Sequence, residues 1–123
     1  TIFDGNTPLF DSLKEWQDFI GLLSSLPIDA ISLSTYDFTA PAFEENKTLT
    51  ALTREATDLP IFVSGKIYDR HSADRALKHA DLILSGKSLL LNPNWISDLR
   101  RGIELKPFSS EESKIAYSNE ELP

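Results

Sequence analysis

The sequence predicts an α/β fold built on a small parallel sheet. Two observations carry this expectation. Short apolar segments alternate with segments of helical period, which is the pattern of βαβ units. One apolar segment, residues 60–65 (PIFVSG), is the nearly continuous run expected of a strand buried on both sides in a parallel sheet. Composition sets the scale. The chain has 123 residues, 41% hydrophobic and 25% charged, an ordinary globular mix with enough apolar content for one core.

The elements follow in order. Leu13, Trp16, Ile20 and Leu23 recur at helical spacing and predict a helix over about residues 10–25. Asp11 or Ser12 caps its start, Glu15 stands three residues after Ser12 as in a capping box, and Pro27 ends it. Residues 28–34 (IDAISLS) read as a strand, and residues 35–43 as a polar loop. A second helix is predicted over residues 44–57, with Leu49, Leu52 and Ala56 on one face. After the PIFVSG strand, Ser72 is expected to cap a short helix carrying Ala73, Ala76 and Leu77. Residues 81–85 (DLILS) form the third strand, which Gly86 breaks. The apolar stretch 89–91 leads to Pro93, which suits the first turn of a helix running to about Arg101, where Gly102 stops it. Residues 106–123 are expected to be a polar, acidic, loosely held tail following a domain of residues 1–105.

Three strands make a poor two-faced domain, and a closed (β/α)8 barrel needs about 250 residues. The chain therefore reads as the C-terminal portion of a (β/α)8 TIM barrel, or as a small open sheet. The absence of any Met, from a chain that begins with Thr1, supports the reading as a piece of a larger protein.

Other classes are disfavoured by composition. A net charge of −7 argues against a nucleic-acid or anionic-membrane surface. No run of about 18 apolar residues is present to span a bilayer, and the first residues lack the pattern of a signal peptide. With no Cys there is no disulfide scaffold, thiolate metal site or cysteine nucleophile, and a reducing cytoplasm is the expected location.

The chemistry concentrates at two strand ends. Gly65 and Gly86 each follow a strand, and each is followed by a lysine, Lys66 and Lys87. In barrels the loops after the last strands hold phosphate through backbone N–H groups, where glycine lets the backbone approach an oxyanion. The bland alternative is two loop glycines beside solvated lysines.

Residues 60–67 (PIFVSGKI) and 80–95 (ADLILSGKSLLLNPNW) resemble the closing part of Old Yellow Enzyme-type sequences, FMN-dependent (β/α)8-barrel oxidoreductases. In that family a strand runs into a glycine turn, and an Ala-Asp-Leu strand runs into Gly-Arg, a Leu-rich stretch and Asn/Asp-Pro with an aromatic. The likeness covers about residues 10–105 and makes the strands numbers six, seven and eight of the barrel. It implies that Gly65, Lys66, Gly86 and Lys87 hold the FMN phosphate, with Lys87 standing where the family has Arg and Lys66 where it has Gly or a small or apolar residue. Lysine keeps the charge and loses the two-pronged grip.

The resemblance further implies an NAD(P)H-dependent, ene-reductase-like parent. The flavin-ring contacts, the substrate-binding His pair and the Tyr proton donor would come from strands before this chain. No catalytic or metal-binding residue is therefore assigned, and the chain alone is expected to be inactive. Its expected partners are the missing N-terminal half of the barrel and, in isolation, a second copy; nucleic acid and membrane are not expected. Two other readings stay open: a different phosphate-binding barrel, and a non-catalytic α/β interaction module.

The remaining candidates read as structural. His71 and His79 flank a short helix and read as structural or solvated, and Asp69, Asp74 and Arg75 as caps or surface pairs. Asp29 and Asp81 begin strands, and Asp81 reads as a turn or cap rather than a base. Trp16 and Trp95 are expected to anchor packing. Tyr36 and Phe38, on the loop after the first strand, either face a flavin or substrate or belong to an exposed loop.

Overall fold

The computed structural model describes residues 3–4 and 7–117. Among these the chain is α/β, with a three-stranded parallel sheet and six helices. A short antiparallel pair, β1 (Phe3–Asp4) and β2 (Thr7–Pro8), comes first. Then follow α1 (Leu13–Ser24), β3 (Ile31–Ser34), α2 (Leu49–Ala56), β4 (Ile61–Ser64), α3 (Arg70–Ala76), β5 (Leu82–Ile83), α4 (Lys87–Leu91), α5 (Trp95–Arg101) and α6 (Ser110–Tyr117). The sheet order is β3-β4-β5, with Ile31 opposite Ile61 and Val63 opposite Ile83. The alternation read from the sequence is therefore present, with β4 central.

Burial on the strands is one-sided. Ile31, Leu33, Ile61 and Val63 point into a core completed by Trp16 and Ile20 of α1 and by Leu49 and Leu52 of α2. Ile20, Leu52, Ile61 and Val63 are at most 1% exposed. Complete burial of such a side chain stabilises by about 1.5–3 kcal/mol. On the opposite face Ser32 and Ser34 are exposed, Phe62 and Ser64 are half-buried, and Leu82 and Leu84 remain 54% and 43% exposed. Parallel sheets are normally covered on both faces; this one is covered on one.

Local chemistry explains where the elements begin. Ser12 caps α1 by accepting from the Glu15 N–H, but the Glu15 carboxylate accepts from the Asp11 N–H at 2.8 Å, so no reciprocal box forms on Ser12. The second helix starts at Leu49 rather than residue 44. Residues 41–48 first fold back on themselves, with the Ala42 N–H donating to the Lys47 carbonyl and Phe43 and Glu44 in left-handed conformations. Thr48 then caps α2. Asp69, not Ser72, caps α3; Ser72 is the third residue of that helix and completes a capping box with Asp69. His71 consequently lies inside α3 rather than before it. Two helices stand where none was expected: α4 directly after Gly86, and α6 in the segment read as a loose tail.

Asn92 accounts for the second of these. Buried at the end of α4, its side-chain amide donates to the Ser88 and Lys106 carbonyls, and its oxygen accepts from the Lys106 N–H at 2.8 Å. That clamp turns residues 105–109 back over α4, and α6 then packs on α4. Both tryptophans anchor packing as expected. The Trp16 indole N–H donates to Thr53 and that of Trp95 to Ser88, so neither buries an unpaired donor.

Asp81 is the tie that holds β5 in register. Its carboxylate accepts from the Ile61 N–H at 2.8 Å and pairs with Arg54 of α2. Arg54 also donates to the Leu59 and His79 carbonyls. The Ile61 N–H, followed by Arg54, holds the Asp81 carboxyl below its ordinary value of 3.8. A group of this kind stabilises the fold above its unfolded pKa, and the contribution fades as pH falls below about 4 through the depressed value. Asp81→Ala is expected to lower the melting temperature at pH 7 and to flatten its decline below pH 4. Melting curves of both proteins between pH 2 and 7 check this; parallel curves would show that Asp81 carries none of the acid response.

Candidate functional site

The three strands are parallel and in register, so their C-terminal ends open on the same side of the sheet. The chain leaving β4 must turn there, and the turn is tight. Gly65 has φ +122°, and a Cβ at that position would lie 2.4 Å from the Thr35 carbonyl oxygen. Three hydrogen bonds hold this crossing: the Thr35 N–H and hydroxyl both donate to the Ser64 carbonyl, and the Phe38 N–H donates to the Gly65 carbonyl. Gly65 is thus demanded by the close approach of the loop after β3. Lys66 follows at φ +53°, so two successive residues are left-handed. Gly86 differs. Its φ is −110°, and a Cβ there would meet nothing within 4 Å. Nothing in the fold itself requires glycine at 86; an added methyl would project into open space.

These turns border one cleft of about 350 Å³. All four residues singled out in the sequence line it: Gly65, Lys66, Gly86 and Lys87. Among the described residues the backbone N–H groups of these four donate to no other protein atom. Four residues with unengaged amides around one opening, at the start of α4 and in a left-handed turn, are the kind of arrangement that can receive an anion.

The two lysines are held differently. The Lys66 ammonium donates to Asp37 at 3.1 Å and lies 4.8 Å from the centre of the Tyr36 ring. Asp37 raises the Lys66 pKa, while Asp37 itself is held low by the Thr39 hydroxyl first and by Lys66 to a smaller degree. The Lys87 ammonium has no carboxylate partner among the described residues and sits 5.2 Å from the centre of the Phe108 ring. Lys87 is therefore the cation available to an incoming anion, whereas Lys66 must first leave Asp37.

Several lining residues had no signal in the sequence. Thr35, Tyr68, Ser88 and Phe108 contribute walls. Phe108 reaches the cleft because the Asn92 clamp brings its segment back over α4. The Asn92-Pro93 pair was visible, but not its long-range partner Lys106. The Ser85 hydroxyl, also at the cleft, is buried without a hydrogen-bond partner.

The structure keeps the other candidates apart from this site. Tyr36 is on the rim and 82% exposed, whereas Phe38 is buried in the core. His71 borders a different depression beside residues 102–107, and His79, just past the end of α3, borders a third together with residues of α2 and α3. Asp69 is a helix cap and Asp74 pairs with Arg70 on the surface. Asp29 is exposed just before β3. Among the described residues no three His, Asp or Glu side chains gather as a metal site would require, and no helix is long and apolar enough to cross a membrane.

No family model matches this chain, and no curated protein matches it.

The crossing at Gly65 yields a direct prediction. Gly65→Ala must either displace the Thr35 carbonyl or abandon the left-handed turn, and strain of this kind costs about 1–3 kcal/mol per residue. Urea unfolding is expected to show a loss of about 2 kcal/mol or more, against a change within about 0.5 kcal/mol for the exposed Gly86→Ala. Equal losses at both positions would contradict the contact.

Proposed function

We propose that the chain is the C-terminal portion of a (β/α)8 barrel, a fragment of an FMN-dependent, NAD(P)H-linked oxidoreductase that supplies the phosphate-binding part of the flavin site. The observation carrying this reading is that Gly65, Lys66, Gly86 and Lys87, whose amides donate to no protein atom among the described residues, all line one cleft at the strand ends. Barrels of this type place phosphate there. The one-sided sheet supports the barrel, because closure of eight strands would bury the open face that carries Phe62, Leu82 and Leu84. The likeness of residues 60–67 and 80–95 to Old Yellow Enzyme-type sequences supplies the choice of FMN.

The residues present fit a phosphate. The four amides and the Lys87 ammonium are donors only, and no carboxylate lines the cleft. Lys87 supplies a point charge, not a planar fork, so geometric selectivity rests on the backbone. Lys66 exchanges Asp37 for the anion. When bound, the flavin supplies the hydride chemistry, accepting from NAD(P)H and passing on to an activated alkene or similar acceptor. What this chain contributes is binding and orientation of the phosphate end. No side chain around the cleft is assigned a proton transfer, and the fragment alone is expected to be catalytically inactive, in a cytoplasmic parent.

The test is an FMN titration of the chain followed by flavin fluorescence, with Lys87→Ala alongside. Saturable binding, weakened about tenfold or more in the variant, is the expected result; tenfold corresponds to about 1.4 kcal/mol, within the range of a charge-assisted hydrogen bond. Absence of binding both here and in a chain extended with the upstream half of the barrel would sink the flavin reading. If inorganic phosphate binds there while flavin never does, another phosphate-binding barrel is favoured instead.

The same reading has a consequence for association. The outer edges of β3 and β5 carry no strand partner among the described residues, and the uncovered face is partly apolar. In isolation, two copies are expected to cover each other's open face. Sedimentation velocity should show a concentration-dependent dimer, and Leu82→Asp/Leu84→Asp should shift it to monomer. A sharp monomer at high concentration would count against the half-barrel.

A further inference from the structure

The segment after α5 reads in the sequence as a loose tail, yet a buried side chain fastens it to the fold. Asn92 is 6% exposed, and both ends of its amide are engaged. It donates to the Ser88 carbonyl at 2.8 Å and to the Lys106 carbonyl at 3.0 Å, and it accepts from the Lys106 N–H at 2.8 Å. Bonds to both the N–H and the carbonyl of one residue fix the direction of the chain as well as its distance, as paired residues do in an antiparallel ladder. Ser88 in turn accepts from the buried Trp95 indole N–H at 2.8 Å, so the clamp stands on a satisfied polar frame.

What the clamp delivers is Phe108. Leu105, one residue before Lys106, packs on the core, whereas Phe108, two residues after it, lies outside the core and walls the cleft at the strand ends. Its ring stands 5.2 Å from the Lys87 ammonium. Apolar packing accounts for Leu105 but not for a ring set against a charged group at the edge of a cleft. Nor does α4 hold Lys87 in place by itself. Lys87 is the first residue of that helix, where a cation is disfavoured, and the first turn carries no acid to offset it.

The two lysines of the cleft are ordered in different ways. Lys66 lies over the Tyr36 ring but is also paired with Asp37, which cancels its charge. An aromatic face orders a cation without cancelling its charge. Fixing a lysine side chain costs rotamer freedom, and a contact that orders it before an anion arrives removes that cost from binding.

We infer that residues 105–109 form a latch on the cleft, in which Asn92 fastens the chain at Lys106 and Phe108 holds Lys87 in place for an anion. Phe108 is a positioning residue that acts through Lys87, and Asn92 acts through Phe108. The consequence for binding rests on the reading of the cleft as an anion site given above; the placement of Lys87 does not.

The experiment compares the full chain with Phe108→Leu, Phe108→Tyr and Asn92→Ala. In 1H–13C spectra the Lys87 ε-methylene signal, identified by its loss in Lys87→Ala, should be displaced by the Phe108 ring from the position of solvated lysines. That displacement is expected to vanish in Phe108→Leu and Asn92→Ala and to persist in Phe108→Tyr. FMN affinity of the same proteins should fall about threefold or more in Phe108→Leu and be restored in Phe108→Tyr. Lost bulk alone would not separate these two variants in that order. A Lys87 signal at the solvated position in the native chain, or unchanged FMN affinity in Phe108→Leu, overturns the latch. If the native chain binds neither FMN nor inorganic phosphate, the flavin reading fails and the Lys87 signal decides: displacement lost in Phe108→Leu upholds the latch, and displacement kept overturns it. Should Asn92→Ala fail to fold, the two Phe108 variants decide by the same criteria.

Discussion

Where β3 and β4 leave the sheet, their exits cross so closely that the Thr35 carbonyl fills the space a side chain at residue 65 would need. Much of the site depends on this crossing. It turns residues 65–66 through two left-handed conformations and leaves their amides without protein acceptors among the described residues. It also anchors Phe38, whose N–H bonds to Gly65, so that the loop carrying Tyr36 and Asp37 runs along the rim. Packing of one backbone against another thereby leaves hydrogen-bonding capacity unspent beside the cleft. A bulkier residue at 65 would separate the strand exits and remove both effects together.

The charge arrangement follows a similar economy of position. The chain is acidic, so an anion approaching at long range meets a repulsive field. Short-range donors must overcome it. At the strand ends these are backbone amides, which need no counter-charge, reinforced by Lys87, which lies beside the Phe108 ring and has no carboxylate partner among the described residues. Lys66 is in reserve on Asp37 in a partly exposed pair, and exposed pairs are weak enough that exchanging one anion for another costs little.

How much of this was legible depended on the range of the interactions. Strand identity followed from local composition: residues 28–34, 60–65 and 81–85 each contain the observed β3, β4 and β5. The four residues that meet at the cleft could be named because strand-Gly-Lys is a contiguous pattern repeated twenty-one positions apart. Boundaries set by long-range bonds were not legible. α2 begins late because Ala42 bonds to Lys47, and α6 exists as a docked element because Asn92 bonds to Lys106. Phe108 entered the site through that second contact. The role of Gly65 was legible only in part: the need for glycine was visible, but its cause is a carbonyl on another strand exit, not room for a ligand.

Coverage of the sheet links fold to function. The helices bury one face, and the other presents Leu82 and Leu84 beside serines and Phe62. A parallel sheet with one covered face is unfinished by the usual rule of this architecture. The cleft at the strand ends, lined by Ser64 and Leu84 from that open face, is likewise bounded on only part of its perimeter. Any structure that covers the face would also raise a second wall beside the Gly65 and Gly86 turns. It would exclude water there, lowering the local dielectric and strengthening the amide and lysine contacts with an anion. Covering the open face and closing the perimeter of the cleft are therefore a single physical event, and any contact made with an anion there would strengthen with it.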